Sequence, residues 1–277
     1  MSLSADAARK ERIARSFSRR ATTYDQHAAA QRRAAESLLA ELAKECGRLP
    51  AGPVLEIGCG TGSLSAGLVQ LLPGRECWFT DLSTAALEIC RQRLGAGSGV
   101  PHRHWQTMDG ESGPARAGYA LIASGMALHW FADWPGALRR WLRALRPGGL
   151  LAFSFQEAGS FPEWREECRR LGLPCTANTF PALEQVQEVL VAAGGMGRCW
   201  VATEAWRHDS AQAFFRSLKQ TGTATSLTGG SLGAGAFRGL LRAWDQRCPE
   251  GVEVRVSCGF ALVWREAAQE AGAAATT

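Results

Sequence analysis

The sequence predicts an α/β fold: a mostly parallel, seven-stranded sheet with helices on both faces and a helical cap. Two observations predict it. Short apolar runs alternate with stretches whose apolar residues recur at helical spacing, the pattern of parallel strands joined by crossover helices. The first of those runs, Val54–Ile57, opens directly into a turn containing Gly58, Gly60 and Gly62, and a helix is expected from Ser63. A buried strand feeding a glycine turn and then a helix lets the backbone approach a ligand closely.

The elements are justified one by one. Arg9, Lys10, Arg12, Arg15, Arg19 and Arg20 crowd the start of the chain, and Ile13 and Phe17 are spaced to give that segment an apolar side, so it reads as a basic amphipathic helix. Residues 31–46 carry Ala34, Leu38, Leu39 and Leu42 at helical spacing, and 47–53 break before the first strand. Residues 76–80 form a second strand ending at Asp81, where Ser83 can cap the helix that holds Ala86, Leu87 and Cys90. A third strand over 102–106 leads to Met108 and Asp109, and a fourth covers 119–123. The next helix has Leu138, Trp141, Leu142 and Leu145 as its apolar stripe, with Arg139, Arg140, Arg143 and Arg146 outside it. It is expected to stop at R-P-G-G, where proline and glycine cannot continue it.

A fifth strand follows over 150–155. Beyond it the spacing predicts helices over 164–171 and 183–193, a strand over 199–205, a helix over 210–219, a small-residue loop over 221–235 and a closing strand over 252–264. Residues 1–277 thus read as one Rossmann-like domain. Within it, 1–50 contribute helices to the cap, 51–155 form the cofactor-binding core, and 156–178 and 209–250 are cap insertions. The alanine-rich tail after Arg265 is expected to fray.

Composition excludes several classes of function. The chain has 277 residues, 46% of them hydrophobic, enough for one substantial core. No apolar stretch is long enough to span a bilayer and the opening residues lack the apolar core of a secretion signal, so a cytoplasmic protein without a membrane partner is expected. Nine cysteines without a C-x-x-C pair argue against a disulfide framework and against a zinc site, so no metal is expected. The net charge is +5, and only Lys10, Lys44 and Lys219 among the 31 basic residues are lysine. With no nucleic-acid-binding motif and no long basic stripe with aromatics, nucleic acid is not an expected partner.

The chemistry is expected where strands end, because ligands in such sheets sit beyond the carboxyl ends of the strands. The glycines alternate with other residues and follow Glu56, unlike the G-x-G-x-x-G that brings backbone against a pyrophosphate. A carboxylate there repels phosphates and favours a cationic ligand. E-x-G-x-G-x-G resembles motif I of the class I S-adenosylmethionine-dependent methyltransferases. On that resemblance Glu56, Gly58, Cys59, Gly60 and Gly62 approach the cofactor, with Glu56 attracting its sulfonium or amino group. Asp81, beside Leu82, accepts the ribose hydroxyls; Asp109 accepts from the adenine amine, with Met108 against the ring. Ser124 ends the fourth strand, and S-G-M-A-L-H-W-F follows, where His129 and Trp130 are candidates for positioning a substrate. A catalytic thiol at Cys59 is not expected.

Four blocks together resemble the malonyl-acyl-carrier-protein O-methyltransferases of biotin synthesis over about residues 10 to 265: F-S-R-R-A-T-T-Y-D-Q-H-A-A-A-Q, the glycine turn, the A-L-H-W block through R-P-G-G, and S-L-K-Q-T-G. The resemblance adds Tyr24 as a positioning candidate. It implies transfer of a methyl group from S-adenosylmethionine to the carboxylate of a malonyl-acyl-carrier protein, an acidic partner that Arg12, Arg15, Arg19, Arg165, Arg169 and Arg170 could attract. Where relatives tend to have Asn, this chain has Gly125, and the 222–235 loop departs from the family's basic segment; both lie on the substrate side. Another methyltransferase acting on an aconitate-like carboxylate or a quinone precursor, a catalytically silent binding protein, and a nicotinamide-dependent oxidoreductase remain alternatives.

Overall fold

In the computed structural model, residues 5–18, 29–95, 102–220 and 230–266 are described. A seven-stranded sheet has the order β3-β2-β1-β4-β5-β7-β6, built from β1 (Val54–Ile57), β2 (Cys77–Asp81), β3 (Arg103–Thr107), β4 (Tyr119–Gly125), β5 (Leu145–Gln156), β6 (Gly195–His208) and β7 (Val252–Arg265). The first five strands pair in parallel, and β7 is antiparallel to both β5 and β6. All four residues of β1 are buried, as expected for a central strand covered on both faces. The strand order reverses between β1 and β4, so the crevice expected of such sheets lies at the ends of these two strands.

The helices among the described residues are α1 (Ala5–Ser18), α2 (Ala29–Ala43), α3 (Ser63–Leu71), α4 (Thr84–Arg93), α5 (Trp134–Ala144), α6 (Pro162–Arg170), α7 (Leu183–Ala192), α8 (Ala211–Gln220) and α9 (Ala234–Arg247). Two cores sandwich the sheet. Leu38 and Leu42 of α2, Leu64 and Leu68 of α3 and Cys90 of α4 pack on one face, and Leu138, Trp141 and Leu142 of α5 with Val186 and Leu190 of α7 on the other. Local signals start these helices where the sequence places them. The Ser83 hydroxyl accepts from Ala86 N–H at 3.2 Å to cap α4, and the Asp133 carboxylate accepts from Gly136 N–H at 2.9 Å to cap α5.

A third core explains the cap. β6 and β7 pair over their full length, from Gly195↔Arg265 to His208↔Val252, whereas β5 pairs with β7 only between Leu150↔Trp264 and Gln156↔Cys258. The far half of the β6–β7 hairpin therefore projects past the sheet. Val252, Val254 and Val256 line one side of that projection and bury against Phe161 and Trp164, Phe214 and Phe215 of α8, and Leu240 and Trp244 of α9. Here the structure differs from the sequence reading in three places. β6 is twice as long as the expected strand, and α9 occupies residues read as loop and connection. α2 packs in the sheet core instead of the cap, because its apolar stripe meets α3.

Candidate functional site

A cavity sits at the carboxyl ends of β1, β2 and β4, with α1 across its mouth. The glycine turn forms its floor. Gly58 and Gly60 adopt φ of 71° and 53°, the left-handed region that side-chain-bearing residues resist. A Cβ on Gly58 would lie 2.7 Å from the Ala127 methyl carbon, so its glycine keeps the turn against the loop after β4. A Cβ on Gly60 would meet nothing within 4 Å among the described residues, so with respect to them that side of the turn faces open space. Gly62 serves packing instead, since a Cβ there would lie 3.0 Å from the Cys90 sulfur.

Asp81 ties the floor to the end of β2. One carboxylate oxygen accepts from Gly60 N–H at 2.9 Å and the other from Ser83 N–H at 2.8 Å. Burial raises its pKa, and the backbone donors work against that rise. Glu56 is 1% exposed, and its Oε2 is buried with no hydrogen-bond partner among the described residues. Burial pushes its pKa well above the usual carboxylate range; negative charge at Cys90 and Asp81 adds to the rise, and a bond to Ser65 opposes it. An orphaned buried carboxylate oxygen is costly unless a ligand supplies a donor or a positive charge. Together with the open space over Gly60, the two carboxylates fit a cationic nucleoside-bearing ligand and disfavour a pyrophosphate.

Of the other residues named from the sequence, Cys59, Leu82, Met108, Asp109 and Trp130 line the cavity. Asp109 does so with its carboxylate engaged: Lys10 Nζ lies 2.9 Å away, the Ser112 hydroxyl donates at 2.8 Å and Glu111 N–H at 3.0 Å. Burial works to raise its pKa, but these partners together hold it below the ordinary value. Cys59 is buried, and its bond to Cys90, then burial, pushes its thiol up, which leaves no thiolate for nucleophilic work.

Two residues lie elsewhere than the sequence reading put them. The Ser124 hydroxyl donates at 2.9 Å to the Ile57 carbonyl at the end of neighbouring β1, so it is engaged with backbone. His129 is buried off the cavity; its Nδ1 accepts from Gln156 N–H at 3.1 Å and its ring meets Phe180 edge-on at 5.7 Å. Burial lowers its pKa to about 3, so it is neutral at any physiological pH and holds the loop after β4 as a packed imidazole. Tyr24 lies outside the described residues.

Residues 55–151 match the methyltransferase-domain family. Over 215 residues the chain is 36% identical to the malonyl-[acyl-carrier protein] O-methyltransferase of Magnetococcus marinus, covering 77% of each protein. The chain belongs to the malonyl-[acyl-carrier protein] O-methyltransferase family. The family's member from Pseudescherichia vulneris is 35% identical over 260 residues, 92% of this chain and 96% of that one. Among solved structures, the YcgJ protein from Bacillus subtilis superposes with a TM-score of 0.58 at 16% identity, covering 83% of this chain and 99% of that one, a likeness of fold.

In this member of the O-methyltransferase family, sequence reasoning missed the residues that close the cavity. Arg9 Nη1 donates to the Trp130 carbonyl, and its Nη2 to Glu111 Oε2 at 2.8 Å. Glu111 is 6% exposed and also accepts from Asp133 N–H at 2.6 Å, so one carboxylate fastens α1 to the start of α5. Gln31, Met126 and Phe131 line the cavity as well. The arginines expected to form a docking surface are largely answered within the chain. Arg15 pairs with Glu11, Arg169 with Glu166 at 2.6 Å and Arg170 with Glu167 at 2.5 Å, while Arg165 donates to the Asn178 carbonyl at 3.0 Å. Arg12 is exposed, and Arg19 lies outside the described residues. No described helix is long and apolar enough to cross a membrane.

Proposed function

We propose that this protein transfers a methyl group from S-adenosylmethionine to the free carboxylate of a malonyl-acyl-carrier protein, giving the methyl ester. The observation that carries the cofactor half of this reading is the orphaned Glu56 oxygen, buried beside the glycine turn and Asp81. Glu56 faces the positive methionine end, Asp81 takes the ribose hydroxyls, and Leu82 and Met108 flank the base. Asp109 contributes by holding Lys10, and through it α1, over the adenine side of the cavity. The substrate half rests on the family relatives, whose names specify malonyl-acyl-carrier protein.

Bound S-adenosylmethionine supplies an electrophilic methyl group on a positively charged sulfur. The acceptor carboxylate is already ionised at neutral pH, with a pKa of roughly 4 by analogy with Asp and Glu, so no general base is needed. That agrees with His129, the imidazole next to the cavity among the described residues, being buried, neutral and bonded to backbone. The protein's part is to align the acceptor oxygen behind the methyl group and to exclude water. Trp130 and Phe131 form an apolar wall there, and the Arg9 and Lys10 contacts of α1 close the mouth. The acidic carrier docks by charge at the exposed arginines of the α1 face, Arg12 among them.

Mass spectrometry of malonyl-loaded carrier protein incubated with the enzyme and S-adenosylmethionine is expected to show the gain of one CH2 unit on the malonyl group. Loss of that gain when the acceptor is acetyl-loaded carrier fixes the site as the free carboxylate. Methylation of aconitate or a quinone precursor in place of the malonyl carrier contradicts the substrate reading and keeps the cofactor reading.

A further inference from the structure

A second hollow adjoins the first, between α2, the projecting half of the β6–β7 hairpin and the cap. Its walls include Phe161, Trp206, Leu218, Val256 and Phe260, and its charged members are Arg33 of α2 and Glu204 of β6. The two hollows share Gln31 and Met126. These two residues form the boundary, or gate, between the hollows. Met126 is held at φ 55°, in the left-handed region that a residue with a side chain resists. It is fixed by Met126 N–H donating to the Ser154 carbonyl at 2.9 Å and by the Cys258 thiol 3.5 Å from its sulfur. Gln31 Oε1 is buried with no hydrogen-bond partner among the described residues.

Arg33 and Glu204 form a forked pair. Arg33 Nε donates to the two Glu204 oxygens at 3.0 and 2.9 Å, and Nη2 donates to Oε2 at 2.6 Å. That pairing uses one edge of the guanidinium and leaves Nη1 outside it. A planar guanidinium so fixed can present its remaining edge to a second carboxylate.

The geometry points to this hollow as the acceptor subsite: it holds an acyl thioester that ends in a carboxylate, with Arg33, restrained by Glu204, orienting that carboxylate at the Gln31–Met126 gate. The assignment rests on the methyl-transfer reading above. The apolar walls suit the uncharged arm of a thioester. In the reaction a carboxylate oxygen lone pair forms the new O–CH3 bond, the CH3–S bond breaks, and its electron pair returns to sulfur; no proton moves. A bare arginine gripping the carboxylate on both oxygens would hold back the lone pair that must attack. Glu204 takes up one edge of Arg33 and offsets its charge, so the acceptor is oriented yet stays nucleophilic. The product ester, having lost its charge, has no hold on Arg33 and leaves.

The test is calorimetric, with S-adenosylhomocysteine bound. Malonyl-pantetheine and its methyl ester are titrated into wild type, Arg33→Gln and Glu204→Gln. Wild type is expected to bind the acid about tenfold more tightly than the ester, the size of one charge-assisted hydrogen bond, and Arg33→Gln to bind the two alike. Glu204→Gln, which frees the guanidinium, is expected to bind the acid about threefold more tightly than wild type, in keeping with a half-exposed ion pair. Wild type without preference for the acid, Arg33→Gln with the preference intact, or Glu204→Gln with unchanged or weaker affinity for the acid overturns the assignment. Failure of wild type to bind S-adenosylhomocysteine would instead contradict the methyl-transfer reading beneath it.

Discussion

Asp81→Ala is expected to weaken S-adenosylmethionine binding by about 100-fold or more, because two hydrogen bonds to a charged group at about 1.5–3 kcal/mol each are lost. The carboxylate does two jobs at once. It pins the turn through Gly60 N–H and caps the start of the next segment through Ser83 N–H, and its remaining lone pairs face the cavity it lines. Asp81→Asn tests the same carboxylate more gently. Its amide oxygen can still accept from one backbone N–H, but the NH2 group then faces the other, donor against donor, so some stability is lost and the melting temperature falls modestly. The second acceptor oxygen and the negative charge are gone, so cofactor affinity is expected to fall by more than that loss of stability explains. Calorimetry and thermal melting on the two variants check this, and an Asp81→Asn protein with undiminished affinity contradicts the ribose role.

Gly58→Ala and Gly60→Ala are expected to fail in different ways, although both residues have positive φ. At Gly58 the new methyl group collides with Ala127 at 2.7 Å. The left-handed backbone, at about 1–2 kcal/mol, and the overpacking, at about 1–3 kcal/mol, add up to about 2–5 kcal/mol of lost stability, and the loop after β4, which carries Met126 and Trp130, is displaced. Melting temperature and turnover should fall together. At Gly60 the methyl group meets no atom of the described residues within 4 Å. The cost to the empty protein is then the left-handed backbone alone, about 1–2 kcal/mol. The space it fills is the ligand's, so cofactor affinity is expected to drop about tenfold or more, a loss of at least about 1.4 kcal/mol of binding free energy. A Gly60→Ala protein that binds the cofactor as wild type does would show that the ligand does not lie against this turn.

The sheet was legible because its signals are local. Val54–Ile57 is a short, mainly apolar run, Ser83 is a side-chain cap, and the stripe of Leu138, Trp141 and Leu142 has one period. The cap was less legible because tertiary contacts outweigh local preference there. Gly235 and Gly239 argue against a helix, yet α9 forms because Leu240 and Trp244 bury against Phe214 and Phe215. In the site, the backbone turn and Asp81 could be read from spacing. The partners of Asp109 and Glu111 could not: Lys10 and Arg9 reach them from about a hundred residues away, and no periodicity encodes that approach. Ser124 illustrates the finer limit. It lies at the right strand end, but which way a side chain points there depends on the register with β1, where Ile57 stands next to it.

The central claim is that a buried carboxylate at the glycine turn, one of whose oxygens has no partner among the described residues, receives a positively charged methyl donor. The sign of its pH dependence follows from Glu56. Burial raises the pKa of this group in the empty protein, and a cationic ligand prefers the ionised form, so binding below that pKa must expel a proton and weakens as pH falls. Titration of wild-type protein with S-adenosylmethionine at pH 7.5 and at pH 5.5 is predicted to give saturable one-to-one binding that is weaker at the lower pH. No saturable heat at either pH, or tighter binding at pH 5.5, contradicts the account.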